Sequence, residues 1–264
     1  HWKISDDKMK FWFRINPDAR WSDGREVIAE DVVATWDLHM DETILSPSDQ
    51  LTFGKFERPI VEGKYLVSVV AKELSWRNFL YFGGMSILPS YYLNQVDGSE
   101  YLKEYQFKMM PGTGPYEIHE DDIINQESFT LTRRTDYWGK DDPANKFTSN
   151  FDKIKFIVVK DNNPLIFEKF KKGEADFYTV AAAREWVEET DFESVQKGWV
   201  QKHKIYSEKP AGTSGYAFNM RKWPFDDKRV RMAFTYLYNR EKMNEEMYYS
   251  EYSMMNSLYS GSVY

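Results

Sequence analysis

Apolar and polar positions alternate first over residues 8–16. Met9, Phe11 and Phe13 interleave with Lys10, Trp12 and Arg14, the period of two of a half-buried strand. Pro17 stops the run, and Asp23-Gly24 is a turn signal. From Glu26 the spacing becomes helical. Val27, Val33 and Trp36 recur among acids, with Glu30 and Asp31 placed where the positive end of a helix favours carboxylates. Residues 60–72 are β-branched and end in charge, and the break at Gly63-Lys64 predicts half of a hairpin. Residues 75–82 predict a short helix capped by Ser75 and ended by Gly83-Gly84. Another short helix starts at Pro89-Ser90 and carries Tyr91, Tyr92 and Leu93.

Pro111, Gly112, Thr113, Gly114, Pro115 and Tyr116 form the densest cluster of breakers and predict a domain crossover. Beyond it, residues 116–119 and 128–133 predict a strand pair, and 136–150 a polar loop. Residues 153–160 predict a strand, 163–172 a helix ended by Gly173, and 175–180 a strand. That order is a βαβ unit, which implies a mixed α/β fold with ligands at strand ends. Short helices over 182–189 and 192–197 follow, the second closed by Gly198. Strands over 199–206 and 215–220, helices over 227–238 and 240–249, and a loop over 250–264 complete the reading.

By the prior of ~150 residues per domain, a chain of 264 residues makes one large domain or two ordinary ones. Aromatic residues make up 17% of it, more than a core needs, so part of them lines a recognition surface. The net charge of −7 argues against tracking phosphates and hence against a nucleic-acid partner. No apolar run approaches the ~18 residues of a membrane span. The start at His1-Trp2-Lys3, without Met or an apolar leader, predicts a mature form or a piece of something longer.

The absence of cysteine excludes disulfides, thiolate zinc sites, iron–sulfur clusters and thiol nucleophiles. His1, His39, His119 and His203 lie outside metal-ligand spacing of one another and read as structural. No phosphate loop, dinucleotide fingerprint or nucleophile elbow is present. Ser46 and Ser48 around Pro47 lack a positioned histidine and read as a loop. Carboxylate pairs such as Glu188-Glu189 and Asp121-Asp122 suit solvated faces. The expectation is a binding protein with no catalytic residues, no metal and no cofactor; a carboxylate-pair glycosidase is the competing enzyme reading.

Taken in order, further motifs carry a resemblance. Phe11 to Phe13, then Trp21-Ser22-Asp23-Gly24, then Ala29-Glu30-Asp31-Val32 resemble the opening signature of the extracellular solute-binding proteins of family 5. These serve ABC importers of peptides, nickel and related solutes. Gly112-Thr113-Gly114-Pro115-Tyr116 resembles that family's crossover. Arg134 to Trp138, Phe170-Lys171-Lys172-Gly173-Glu174-Ala175-Asp176, and Phe218-Asn219 with Pro224 to Ala233 resemble three later motifs. Pro210-Ala211-Gly212 and Met247-Tyr248-Tyr249-Ser250-Glu251-Tyr252 look like the microcin C and oligopeptide-binding branch. Ile28 departs from the pattern, standing where the family often has Thr as a helix cap. Family members are about twice as long, so the chain resembles an internal piece.

The resemblance implies a two-lobed periplasmic-binding-protein-like α/β fold. Residues 1–111 would form the smaller subdomain of lobe one, 112–218 its main sheet subdomain, and 219–264 the start of lobe two. It implies a hinged cleft that takes an extended oligopeptide through its backbone. Thr179, Val180 and Ala181 at a strand end, and Ser214, Gly215 and Tyr216 at a lobe crossing, would face that cleft, with Ser48 a further candidate. A strand cap or a hinge turn is the plain alternative for each. Trp223 reads as a hinge-packing ring, and Arg229 and Arg231 as partners of nearby acids. The implied partners are an oligopeptide, or a sugar or other small solute, and an inner-membrane ABC permease. The implied location is the periplasm, or the cell surface as a lipoprotein, with a signal peptide in the full-length form.

Overall fold

The computed structural model describes residues 1–105, 108–160, 163–212, 214–255 and 257–262. The chain divides into two units, His1–Lys160 and Asp161–Tyr264.

In the first unit, β1 (Trp2–Ile4) and β2 (Lys10–Arg14) precede α1 (Ala29–Met40) and α2 (Pro47–Phe53), with a short 3-10 turn between the helices. The hairpin β3 (Ile60–Gly63) and β4 (Leu66–Val70) then completes an antiparallel sheet of order β1-β2-β4-β3. The register sets Phe11 opposite Val69 and Phe13 opposite Val67. Alternation therefore turns these residues to one face, where Phe11, Val67 and Val69 are buried with Val32 and Val33 of α1. Burying each such side chain is worth ~1.5–3 kcal/mol. Phe56 and Phe82 close this core, their rings 5.4 Å apart and edge-on.

Asp31 explains how α1 starts without a capping side chain at Ile28. Its buried carboxylate accepts from the Ile28 N–H at 2.9 Å, the Trp21 indole N–H at 3.2 Å and the Ser90 N–H at 2.8 Å. One carboxyl group thus satisfies an orphan helix donor and ties down both the Trp21 turn and the start of a later helix. Three short helices follow: α3 (Asn78–Gly83), α4 (Ser90–Leu93) and α5 (Gly98–Glu104).

The second sheet of this unit holds β5 (Tyr116–Glu117), β6 (Ile123–Ile124), β7 (Ser128–Arg133) and β8 (Lys153–Ile157). It has the order β5-β7-β6, with β8 also on β7. Arg134 fastens the breaker cluster to it. Its buried guanidinium meets Asp136 at 3.0 Å and donates to the carbonyls of Gly114 at 3.3 Å and Trp21 at 3.4 Å. The Trp138 indole donates to the Thr113 carbonyl at 2.9 Å. Arg134 and Trp138 therefore act as clamps within the fold.

The second unit contains α6 (Asn163–Lys171), one π-helical turn (Glu185–Glu189), α7 (Glu193–Gln196), α8 (Lys228–Leu237) and α9 (Arg240–Tyr248). Gly173 ends α6 at φ +77° and Gly198 follows α7 at φ +74°, left-handed turns that only glycine enters at no steric cost. Asp227 caps α8 and pairs with Arg229 at 2.6 Å, as the acid-partner reading expects. Arg231 donates instead to the Phe225 carbonyl at 2.7 Å.

Three expectations are corrected. The run 175–180 is irregular, with a bend at Asp176, so no βαβ unit forms there, and β8 pairs with β7 antiparallel. Residues 199–206 and 215–220 are irregular as well. Alternation makes a segment suitable for a ladder, but a strand exists only where a neighbour supplies the hydrogen bonds. Ser46, Pro47 and Ser48 are no loop: Ser46 precedes α2, and Pro47 and Ser48 are its first two residues. Proline suits that position because its missing N–H would have had no partner there. Asp49 stands between Ser46 and His39: it accepts from the Ser46 hydroxyl at 2.7 Å and lies 3.3 Å from His39 Nδ1.

Candidate functional site

The second unit contains a groove of about 1400 Å³. Its floor begins on α6, where Phe167 and Phe170 lie three residues apart on one face. Both rings meet Tyr178, at 5.2 and 5.5 Å, and stand edge-on to Phe192, each at 6.2 Å. The Tyr178 hydroxyl donates to Glu185 at 2.9 Å. Burial, then this bond to a carboxylate, push the phenol up to about 12.

One wall is the irregular run 175–181. Among the described residues, none of its backbone N–H or C=O groups takes part in a hydrogen bond within the protein. Backbone groups in that state are satisfied by water or by a ligand. Thr179, Val180 and Ala181 all line the groove. A second irregular run, 199–206, lines it with Trp199, Lys202, Lys204 and Tyr206.

The π-helical turn contributes the Trp186 carbonyl. It accepts from the Thr190 hydroxyl at 2.5 Å and the Lys202 ammonium at 2.6 Å, and Lys202 also lies 4.2 Å over the Trp186 ring. Lys204 pairs with Glu251 at 2.6 Å, which holds the lysine more firmly protonated. Glu251 and Tyr252 reach the groove because Tyr249 and Ser250 adopt left-handed φ of 55° and 59°. Asn244 stabilises that bend, accepting from the Tyr252 N–H at 3.2 Å and donating to its carbonyl at 2.9 Å. Tyr249 donates to Glu188.

The remaining predicted site residues lie elsewhere. Ser214, Gly215 and Tyr216 belong to this unit but not to the groove; the Tyr216 ring is exposed and stands edge-on to Tyr238 at 6.2 Å. Ser48 belongs to α2 of the first unit, where its carbonyl accepts from the Thr52 hydroxyl at 2.8 Å. Trp186, Lys202, Lys204 and Tyr252 were not singled out as binding residues. Lys202 and Lys204 lie in the strand expected over 199–206, and Tyr252 in the Met247 to Tyr252 motif. Among the described residues no group of three or more His, Asp or Glu could hold a metal ion. No helix among them is long and apolar enough to cross a membrane.

Comparison with known proteins adds lineage to this geometry. The family model for bacterial extracellular solute-binding proteins, family 5 (middle part), matches residues 1–264. A protein of Brucella melitensis, named as a binding protein by inference, is 31% identical over 265 residues, covering 98% of this chain and 42% of the relative. YejA of Agrobacterium fabrum, named by inference as peptide-binding, is 30% identical over 263 residues, covering 97% of this chain and 42% of the relative. The chain thus spans about two fifths of the length of the curated relatives it matches. Among solved structures, NikZ of Campylobacter jejuni in complex with Ni(L-His) matches with a TM-score of 0.73 at 16% identity, over 98% of this chain and 48% of that one. The oligopeptide-binding protein AppA of Bacillus subtilis, in complex with a nonapeptide, matches with a TM-score of 0.72 at 18% identity, over 97% and 47%. These structural likenesses establish a periplasmic-binding-protein-like α/β fold.

Proposed function

Because this chain belongs to the bacterial extracellular solute-binding proteins of family 5, we propose that it is the solute-capturing part of an ABC importer receptor that takes extended oligopeptides. The observation that carries this reading is the open backbone of 175–181 along an aromatic groove. An extended peptide brings its own ladder of N–H and C=O groups. Such a ladder satisfies an unpaired edge whatever the peptide's sequence, while roomy walls accept varied side chains. Thr179, Val180 and Ala181 would then bond the peptide backbone.

In this reading the protein is a receptor and not an enzyme, works in the periplasm, and delivers its cargo to an inner-membrane permease. Residues 1–218 belong to one lobe and 219–264 begin the next, with Ser214, Gly215 and Tyr216 at the crossing. The faces of Trp186 and Trp199 in the groove favour a second solute class, sugars, which stack on such rings.

Calorimetric titration of the protein with a pool of short peptides, and separately with oligosaccharides, tests the proposal. Binding of peptides that is weakened by Val180→Pro is expected, since proline removes a backbone donor. Binding of oligosaccharides alone would overturn the peptide reading in favour of the second.

A further inference from the structure

The groove's charge runs against that of the whole chain. The protein carries −7, yet Lys171, Lys172, Lys202 and Lys204 line the groove against only Asp176 and Glu251. Lys171 is occupied by Glu168 at 2.9 Å and Lys204 by Glu251 at 2.6 Å. No ion pair among the described residues includes Lys202. Its ammonium is nevertheless held in place, by the Trp186 carbonyl at 2.6 Å and the ring face at 4.2 Å. A carbonyl takes one of its three N–H bonds and a ring face at most one more, so the positioned cation retains at least one donor for a ligand. The π-helical turn that offers this carbonyl is an uncommon geometry and marks functional sites more often than chance.

Resting on the reading that the groove takes peptides, we infer that it selects peptides carrying a carboxylate beside an apolar or aromatic residue, with Lys202 receiving the carboxylate. Trp186 is the positioning residue: its carbonyl aims the ammonium and its ring offers the adjoining apolar surface. The Lys204–Glu251 pair beside it is neutral as a unit, so it leaves the attraction to Lys202. The carboxylate comes either from the free end of the peptide or from an acidic side chain, and both offer the same two oxygens.

Three probes separate these cases: acetyl-Ala-Phe with a free carboxylate, acetyl-Ala-Phe-amide, and acetyl-Glu-Phe-amide, each titrated by NMR into the protein and its variants. The free acid is expected to bind about tenfold tighter than the amide, as a charge-assisted bond replaces a neutral one. Tight binding of acetyl-Glu-Phe-amide as well would extend recognition to acidic side chains, whereas its weak binding would confine recognition to the peptide terminus. Lys202→Gln should erase the preference, and Lys202→Arg should restore most of it. Equal binding of acid and amide, or a preference that survives Lys202→Gln, overturns the inference and leaves the peptide reading intact. If no probe binds, both fall.

Discussion

Strand β2 and the run 175–180 are both expected as strands from the sequence, and they end differently. β2 lies between two partners, with five register pairs on the β4 side, and its Phe11 is buried beneath α1. The run 175–180 has no backbone partner among the described residues, and its Phe177 is 79% exposed. The wider units repeat the contrast. Of the buried hydrophobic residues described, only Phe167 and Ala183 belong to the second unit. The first unit is held by a core, whereas the second spends its rings on an accessible surface. Apolar surface left accessible around a groove marks an interaction site.

The sharpest way to break this comparison is to damage each unit in turn. Phe56→Ala empties a fully buried site and should cost ~3–5 kcal/mol. Asp31→Ala should cost a similar ~3–5 kcal/mol, because it strands three donors at once, two of them buried. Both appear as a lower urea midpoint followed by far-UV circular dichroism. If either variant unfolds at the wild-type midpoint, the first unit is not organised as described.

Amide exchange is the next test. Amides of Phe11, Val67 and Val69 should exchange orders of magnitude more slowly than those of 179–181, because ladder amides open only with the core. Peptide binding should slow the second set alone. Equal rates in the free protein would mean that the groove wall is already paired.

A smaller effect concerns His39, which stacks on Phe53 at 4.6 Å beside Asp49. Burial lowers its basicity below the ordinary 6.5 and outweighs the raising influence of Asp49. The folded state therefore prefers the neutral ring. The associated stability is full above pH 6.5 and is lost as pH falls from there through the lowered folded value. His39→Gln should flatten that part of the stability–pH curve, and an unchanged slope would remove His39 from the account.

The smallest expected effect is Phe177→Ala, within about 0.5 kcal/mol in stability, as for an exposed side chain. A larger loss in peptide affinity than in stability would sharpen the contrast, separating a ring kept for recognition from rings kept for packing.

Much of the first unit was legible in the sequence. The Phe11 and Phe13 alternation, the helix beginning among Glu30 and Asp31, and the break at Gly63-Lys64 each carry a local physical cause. Turn glycines at 173 and 198 and the acid beside Arg229 were legible for the same reason. What tertiary structure alone decided was partnership. No local signal says that Asp31 gathers donors from Trp21 and Ser90, or that Arg134 reaches back to the Trp21 carbonyl. None says that Lys202 meets the Trp186 carbonyl across sixteen residues. Periodicity and capping act over one turn or two pairs, so the chain itself determines which segments are able to be strands or helices. Whether an edge is paired, a carboxylate buried or a lysine aimed depends on segments brought together from far apart, and the three-dimensional arrangement settles it.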